Sequence, residues 1–153
     1  MNEGLTGMTA KQVLEFTKVY AERFGSLTPD SLENLSELLD KDIVFTDPFN
    51  RIDGSDEFIA VFEHMFEVMR EPRFHILDLA ASKGAGYIKW RMTGRLKKRP
   101  ELGVNIVGMS EVVFNDDGML IRHIDHWDSA SQLLSQIPVA GWFVRKLMQI
   151  FTI

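Results

Sequence analysis

A histidine and an aspartate stand two residues apart near the end of the chain, at His123 and Asp125. The residue pattern over 119–127 predicts a strand, in which side chains alternate between two faces. His123, Asp125 and Trp127 should therefore share one face, with His126 on the other. An imidazole beside a carboxylate is an acid–base pair suited to proton transfer. The alternative is a structural pair that keeps the last hairpin in register.

The same residues do not predict a metal site. His126 should face away from His123 and Asp125, which leaves two ligands on one face, fewer than a catalytic zinc needs. None of the 153 residues is a cysteine, which excludes disulfides, thiolate nucleophiles and cysteine-ligated metals. We expect neither metal nor other cofactor, so catalysis would use carboxylate, imidazole, phenol or hydroxyl groups.

A second candidate carboxylate is Asp47, which precedes Pro48 at the end of a predicted strand over 43–46. A carboxylate acts as a base at neutral pH where apolar surroundings favour its protonated form. Phe45 and Phe49 would supply such surroundings. The alternative is a turn aspartate, because Asp-Pro commonly opens turns and its carboxylate bonds nearby amides.

The elements that must position these groups follow from apolar spacing and turn residues. Helical spacing predicts helices over residues 9–24 and 28–40, from 55 to Pro72, and from 129 onward with an interruption at Pro138. Extended patterns predict strands over 43–46, 73–82, 86–98, 104–115 and 119–127. Asp117-Gly118 is the strongest hairpin turn signal in the chain.

Consecutive hairpins with helices before and after them predict an α+β fold. We expect one domain over residues 1–153, built as a cone-like curved antiparallel sheet wrapped by N-terminal helices, with one additional C-terminal helix. A pocket should lie between the helices and the concave face of the sheet. The side chains expected to bind a ligand there are Ser110, Trp90, Trp127, Phe49, Phe62, Phe66 and Met92.

Charge and apolar composition indicate which classes of partner the chain can bind. The 17 Lys and Arg residues against 22 Asp and Glu residues give a formal charge of -5, which disfavours nucleic acid. No stretch is long and apolar enough to predict a membrane span, and the first residues do not resemble a secretory signal. The expectation is a cytoplasmic protein that binds a small hydrophobic molecule.

Several short motifs, in order and spacing, resemble the nuclear transport factor two-like superfamily, in particular its ketosteroid isomerase and SnoaL-like polyketide cyclase branch. The motifs are residues 38–49, Asp53-Gly54 before a helix, residues 114–118, and residues 123–128. The resemblance covers nearly the whole chain and implies that superfamily's cystatin-like roll. Function varies widely on this fold, from isomerases and cyclases to proteins that only bind or assemble.

The resemblance also implies roles for individual residues. Asp47 matches the general base of the isomerases, and Tyr20 matches their oxyanion-stabilising phenol. Ser110 stands where they carry a second, protonated Asp donor. Asp125 resembles a carboxylate used by SnoaL-like cyclases and limonene epoxide hydrolases, but the arginine and second aspartate of the hydrolases are replaced by Trp90 and Met92.

We therefore expect an isomerase- or cyclase-like enzyme that uses acid–base chemistry on a hydrophobic carbonyl compound. The competing hypothesis is a non-catalytic ligand-binding or dimerisation module with the same fold. We also expect a homodimer, because the superfamily commonly dimerises through its outer sheet face, which here would carry Met109, Val113 and Ile124. The apolar C-terminal helix, with Trp142 and Phe143, would close the pocket mouth or enter an interface.

Overall fold

Helices and a six-stranded sheet make up the computed structural model, which describes residues 7–138 and 140–150. The helices are α1 (Ala10–Gly25), α2 (Leu32–Ser36), α3 (Ser55–Val68), α4 (Ser129–Gln132) and α5 (Ala140–Gln149), with 3₁₀ turns at Pro29–Ser31 and Leu134–Gln136. The strands are β1 (Leu39–Thr46), β2 (Arg51–Asp53), β3 (Met69–Ala81), β4 (Gly86–Leu96), β5 (Gly103–Phe114) and β6 (Leu120–Trp127). The predicted α+β class is confirmed.

The strand order is β2-β1-β6-β5-β4-β3. Strands β3 to β6 form the predicted antiparallel meander. The prediction of a wholly antiparallel sheet is wrong at one edge, because β1 pairs with β6 in parallel. The short strand β2, which the sequence pattern did not reveal, then pairs antiparallel with β1. This arrangement puts the end of β1 beside the strand that carries His123 and Asp125.

Helix α1 begins at a capping box, in which the Thr9 hydroxyl accepts from the Gln12 amide and the Gln12 side chain accepts from the Thr9 amide. This reciprocal pair satisfies amides that the first helical turn leaves without partners. The apolar face of the helix packs on the concave side of the sheet and buries Tyr20 and Phe24 among other residues. The helix thus brings a phenol into the core.

Two predicted helix ends differ from those observed. The helix expected over 28–40 is only a 3₁₀ turn followed by α2, because Leu39 already pairs with Leu120 in the sheet. Helix α3 ends at Val68, and Pro72 lies inside the edge strand β3. The proline is tolerated there because the β3–β4 register shifts between Arg70 and Arg73, which marks a bulge.

The end of the described chain is unusually apolar on its surface. Asp128 caps α4 as its position suggests, since its side chain accepts from the Ser131 amide. In α5, Trp142 is 52% and Phe143 63% exposed. Within the described residues, no helix has the length and apolar character needed to cross a bilayer. On the outer sheet face Met109 is exposed, whereas Val113 is buried but is not part of the hydrophobic core cluster that contains its neighbours Val112 and Phe114.

Helix α1 lies close to the sheet where Thr17 faces Gly86. A Cβ atom added to Gly86 would lie 1.9 Å from the Thr17 Oγ1 atom. Thr17 is fully buried, and its hydroxyl donates to the Val13 carbonyl at 2.7 Å. The absence of a side chain at Gly86 therefore sets the distance between helix and sheet.

We expect Gly86→Ala to lower the free energy of unfolding by about 1–3 kcal/mol, because the added methyl group overpacks this contact. Gly84→Ala, in the same hairpin, is the matched control, since its nearest neighbour is the Ser82 Oγ atom at 4.0 Å. Denaturant unfolding of both variants measures the difference. Equal stability of the two variants would contradict the assigned packing.

Candidate functional site

A cavity of about 150 Å³ lies between α3 and the concave face of the sheet. Its walls are largely apolar, and each of five strands contributes to them. The lining residues are Phe45, Asp47, Val61, Phe62, Met65, Phe74, Trp90, Met92, Ile106, Asp125 and Trp127. Two carboxylates, Asp47 and Asp125, are the charged groups among them.

Behind the cavity wall, the imidazole of His123 is fully buried. Four aromatic rings surround it at centroid distances of 5.4 to 5.7 Å, those of Tyr20, Phe24, Phe45 and Phe58. A buried imidazole requires hydrogen-bond partners for both nitrogens. His123 has both: Nδ1 lies 2.8 Å from the Tyr20 hydroxyl, and Nε2 lies 2.8 Å from Asp125 Oδ1.

The Tyr20 hydroxyl determines which nitrogen of His123 carries the proton. Burial, with the negative charge of Asp125 adding to it, raises the pKa of the Tyr20 phenol well above its usual value. The phenol therefore keeps its proton and donates it to Nδ1, its hydrogen-bond partner. Nδ1 is then the acceptor, and Nε2–H donates to Asp125 Oδ1.

Asp125 is held by a second hydroxyl from the adjacent strand. Ser110 lies directly opposite Asp125 in the β5–β6 register, and its Oγ donates to Asp125 Oδ1 at 2.5 Å. The same Oγ accepts from the Trp90 indole Nε1 at 2.8 Å. Gly108 lets this ring lie close to β5, since a Cβ there would be 2.6 Å from a Trp90 ring atom.

The two oxygens of Asp125 are thus in different situations. Oδ1 accepts from both His123 and Ser110. Oδ2 has no hydrogen-bond partner among the described residues, and this atom is accessible to solvent. The Asp125 side chain is 13% exposed and lines the cavity. One oxygen is therefore fixed from behind, and the other is available to a ligand.

Asp47 also lines this cavity, but its carboxylate accepts hydrogen bonds from the turn that follows β1. Its Oδ1 accepts from the amides of Phe49 and Asn50 at 2.7 and 2.6 Å. The Asn50 side-chain amide reaches both carboxylate oxygens, at 3.1 and 3.0 Å. These bonds are those of a turn aspartate, the alternative that the sequence left open. Asp47 can still contribute negative charge to the cavity.

Trp127 contributes the indole of the last strand to the cavity wall. The Phe49 ring packs edge to face on it with a centroid distance of 5.6 Å, and Phe49 itself is 55% exposed. Of the described lining residues, only Trp90 and Trp127 carry a side-chain N–H group. The Trp90 N–H is bonded to Ser110, whereas that of Trp127 has no acceptor within the described structure and is not buried.

The structure places the residues singled out in the sequence in three groups. Asp47, Asp125, Trp90, Trp127, Phe62 and Met92 line the cavity. Tyr20, His123 and Ser110 lie one layer behind it, with their polar atoms bonded to one another or to Asp125. Phe49 lies outside the lining, against Trp127, and Phe66 lines a different surface depression beside Gly25 and Pro72.

Some cavity-lining residues were not predicted from the sequence pattern, among them Val61, Phe74 and Ile106. Val61 and Met65 lie four residues apart on one face of α3, so helical spacing accounts for Val61 beside Met65. The same spacing would place Phe66 beside Phe62, but Phe66 instead lines the depression beside Gly25 and Pro72. Ile106 lies four residues before Ser110 and therefore on the same strand face. Phe74 could be assigned only from the β3–β4 pairing, which places it opposite Met92.

The polar groups of this region do not gather as metal ligands. His126 is exposed on the opposite face of β6 from His123 and Asp125, as strand alternation predicts. Within residues 7–138 and 140–150, no cluster of three or more His, Asp or Glu side chains is arranged to hold an ion. The site is built from two carboxylates, aromatic rings and apolar side chains.

The sequence of residues 19–123 matches the family model of the SnoaL-like domain, well over half of the chain. Among proteins of curated function, none matches this chain.

Three solved structures show the same nuclear transport factor two-like fold at low identity. A protein with a ketosteroid isomerase-like fold from Catenulispora acidiphila, solved with trimethylamine, has a TM-score of 0.67 at 14% identity, covering 84% of this chain and 96% of its own. A candidate SnoaL-like polyketide cyclase from Shewanella denitrificans has a TM-score of 0.65 at 20% identity, covering 80% and 98%. An LEH-like epoxide hydrolase from M. tuberculosis has a TM-score of 0.64 at 12% identity, covering 94% and 98%.

We expect Tyr20→Phe to lower the free energy of unfolding by about 1–3 kcal/mol at neutral pH, because it leaves Nδ1 of His123 buried without a donor. The difference in the free energy of unfolding between the variant and the wild type should narrow above about pH 10, where an unfolded tyrosine ionises. The wild type loses stability there, since its folded phenol resists ionisation, and the variant has no such group.

Urea denaturation of both proteins from about pH 7 to about pH 11 measures this difference. A difference that is constant over the whole range would mean that the Tyr20 phenol ionises equally in the folded and unfolded states. That result would contradict the burial and bonding described above.

Proposed function

The chain belongs to the SnoaL-like domain family, and we propose that it is an enzyme that moves a proton on a small hydrophobic carbonyl compound, as isomerases and cyclases do. The observation that carries the proposal is Asp125, a carboxylate in an apolar cavity with one oxygen held and the other unpaired. Fold alone does not select a reaction, because this fold serves several chemistries.

Asp125 is the proposed general base. Its Oδ2 atom removes a proton from the carbon next to the ligand's carbonyl group. The C–H bond breaks, an O–H bond forms on Asp125, and the electron pair moves onto the carbonyl oxygen as an enolate. Once the proton on Asp125 has exchanged with solvent, its delivery to the same carbon completes hydrogen exchange, and its delivery to the far carbon of a conjugated enolate isomerises an unsaturated ligand. Either route regenerates the carboxylate.

His123, Tyr20 and Ser110 are proposed as positioning residues. They contact Asp125 or one another rather than the cavity, and they hold Oδ1 so that Oδ2 faces the ligand. The family resemblance suggested Tyr20 and Ser110 as donors to the ligand oxygen. Their hydroxyl protons go instead to His123 and Asp125, so we assign that role elsewhere.

The proposed donor to the carbonyl oxygen is Trp127. Its indole N–H is unpaired within the described structure, and its ring lines the cavity that holds Asp125. A donor aimed at an oxygen that gains charge lowers the barrier to enolate formation. A carbonyl compound therefore uses both free polar groups of the cavity, one at each end of the reacting unit.

Two further observations bear on the choice of reaction. The Catenulispora neighbour was solved with trimethylamine, which supports binding of small molecules by this fold. The M. tuberculosis neighbour is an epoxide hydrolase. In this chain, Trp90 and Met92 occupy the strand positions where the resemblance implies a charged pair in such hydrolases. We therefore favour proton transfer over epoxide opening.

Replacement of Asp125 by asparagine tests the proposed base. We expect Asp125→Asn to reduce deuterium exchange next to the carbonyl group by about 10² to 10⁴-fold, because the amide cannot accept the proton. The measurement is proton NMR in deuterium oxide with a panel of hydrophobic ketones of one to four rings.

Asp117→Asn, in an exposed turn, is the matched control for the same chemical change elsewhere. Asp47→Asn is compared in parallel, and we expect a smaller loss from it, because its oxygens already accept turn hydrogen bonds. A larger loss in Asp47→Asn than in Asp125→Asn would transfer the role of base to Asp47. Full exchange in both variants would refute carboxylate catalysis in this cavity.

The indole donor is tested by Trp127→Phe, which keeps an aromatic ring against Phe49 and removes the N–H group. We expect about a hundredfold lower kcat for exchange, with a smaller change in KM, since the bond strengthens as the oxygen gains charge. Trp142→Phe in the exposed part of α5 is the matched control. An unchanged kcat in Trp127→Phe would show that the oxygen is held by another group.

A further inference from the structure

We infer that the cavity accepts a compact molecule with a single ring and no anionic group, namely a neutral one-ring ketone. The inference rests on the proposed function for the carbonyl group, but its limits on size and charge come from the cavity walls alone. Neither limit follows from the family, whose fold serves ligands of several sizes.

Ligand size is limited by the space between the lining residues. The cavity measures about 150 Å³. An apolar protein cavity of about this volume takes up benzene, whereas pockets for drug-sized ligands run from about 300 to 1,000 Å³. One ring with its carbonyl oxygen fits this space, whereas a fused ring system would have to extend beyond the lining residues.

The part of the cavity wall formed by the Trp90 ring is rigid. The Trp90 ring is held by its bond to Ser110 on one side and by the backbone of Gly108 on the other. The Phe74 ring meets it edge to face at a centroid distance of 5.4 Å. Interlocked rings of this kind cannot move without breaking the hydrogen bond or the packing, so the cavity cannot grow in that direction.

The flexible part of the wall is contributed by methionine side chains. Met65 from α3 and Met92 from β4 line the cavity, and both are only partly buried. Methionine adapts its shape more readily than branched or aromatic side chains. Met65 is therefore the residue whose shortening should admit a larger ligand with the least damage to the fold.

Charge is limited by the two carboxylates. Asp47 and Asp125 both line the cavity, and none of its described lining residues is Lys, Arg or His. A ligand carboxylate or phosphate would lie near Asp125 Oδ2, which has no hydrogen-bond donor to offset its charge. Like charges in weakly polar surroundings repel strongly, so anionic compounds should be excluded.

The test is an NMR titration that follows the three indole N–H resonances of the full chain. Trp127 reports the cavity, and Trp142, in the exposed part of α5, is the internal control. The probes are methylcyclohexanone, the matched anion oxocyclohexanecarboxylate, the two-ring ketone decalone and a four-ring steroid ketone. We expect methylcyclohexanone to shift Trp127 but not Trp142, and to bind about tenfold or more tightly than each of the other three.

Two variants test the limit on ligand size and the limit on ligand charge separately. Met65→Ala should improve decalone binding and leave the preference against the anion in place. Asp125→Asn should reduce the discrimination against oxocyclohexanecarboxylate, whereas Asp117→Asn should not. Wild-type binding of decalone, the steroid or the anion that equals binding of methylcyclohexanone would overturn the inference, as would no binding of methylcyclohexanone.

Binding and hydrogen exchange together distinguish failure of the size and charge limits from failure of the proposed function. If methylcyclohexanone binds selectively but its protons do not exchange in deuterium oxide, the size and charge limits stand and the proposed base is wrong. If exchange depends on Asp125 but is fastest with a multi-ring ketone, the proposed base stands and the single-ring limit is wrong.

Discussion

The buried imidazole of His123 is the constraint on which the arrangement of this site depends. A fully buried ring with two polar nitrogens is stable only if both are bonded. One nitrogen is bonded to a phenol from the first helix, and the other to a carboxylate on its own strand. The packing of α1 on the sheet and the orientation of Asp125 are therefore parts of one interaction.

The division of Asp125 into a held and a free oxygen follows from that interaction. His123 and Ser110 donate to the same oxygen, and Ser110 is itself oriented by the Trp90 indole. Each of these donors is buried or nearly so, and each has its own hydrogen-bond partner. A carboxylate on an apolar wall is costly without such donors. Here the donors stabilise the charge without occupying the oxygen that faces the cavity.

Asp47 and Asp125 show how similar groups acquire different roles from their surroundings. Asp47 ends a strand and accepts from the amides of the turn that follows it, so its carboxylate serves the local backbone. Asp125 lies within a strand whose amides are used in the sheet, so its donors come from side chains. The parallel pairing of β1 with β6 brings both carboxylates to one cavity.

Much of this site could be predicted from the sequence, because alternation along a strand is a local property. The spacing of residues 119–127 by itself determined that His123, Asp125 and Trp127 share a face, and hairpin signals determined the meander that carries them. The helical pattern also identified Tyr20 as a member of the buried face of α1.

Only the tertiary structure decided which of these groups touch. The hydroxyl of Tyr20 reaches an imidazole 103 residues away, and Trp90 bonds a serine on the next strand. Val61 lines the cavity, whereas Phe66 on the same helix lines a different depression. Local spacing sets the face on which a side chain lies. The partners of a polar group are decided by the mixed sheet order and by close backbone contacts such as those at Gly86 and Gly108, since these bring together residues far apart in the chain.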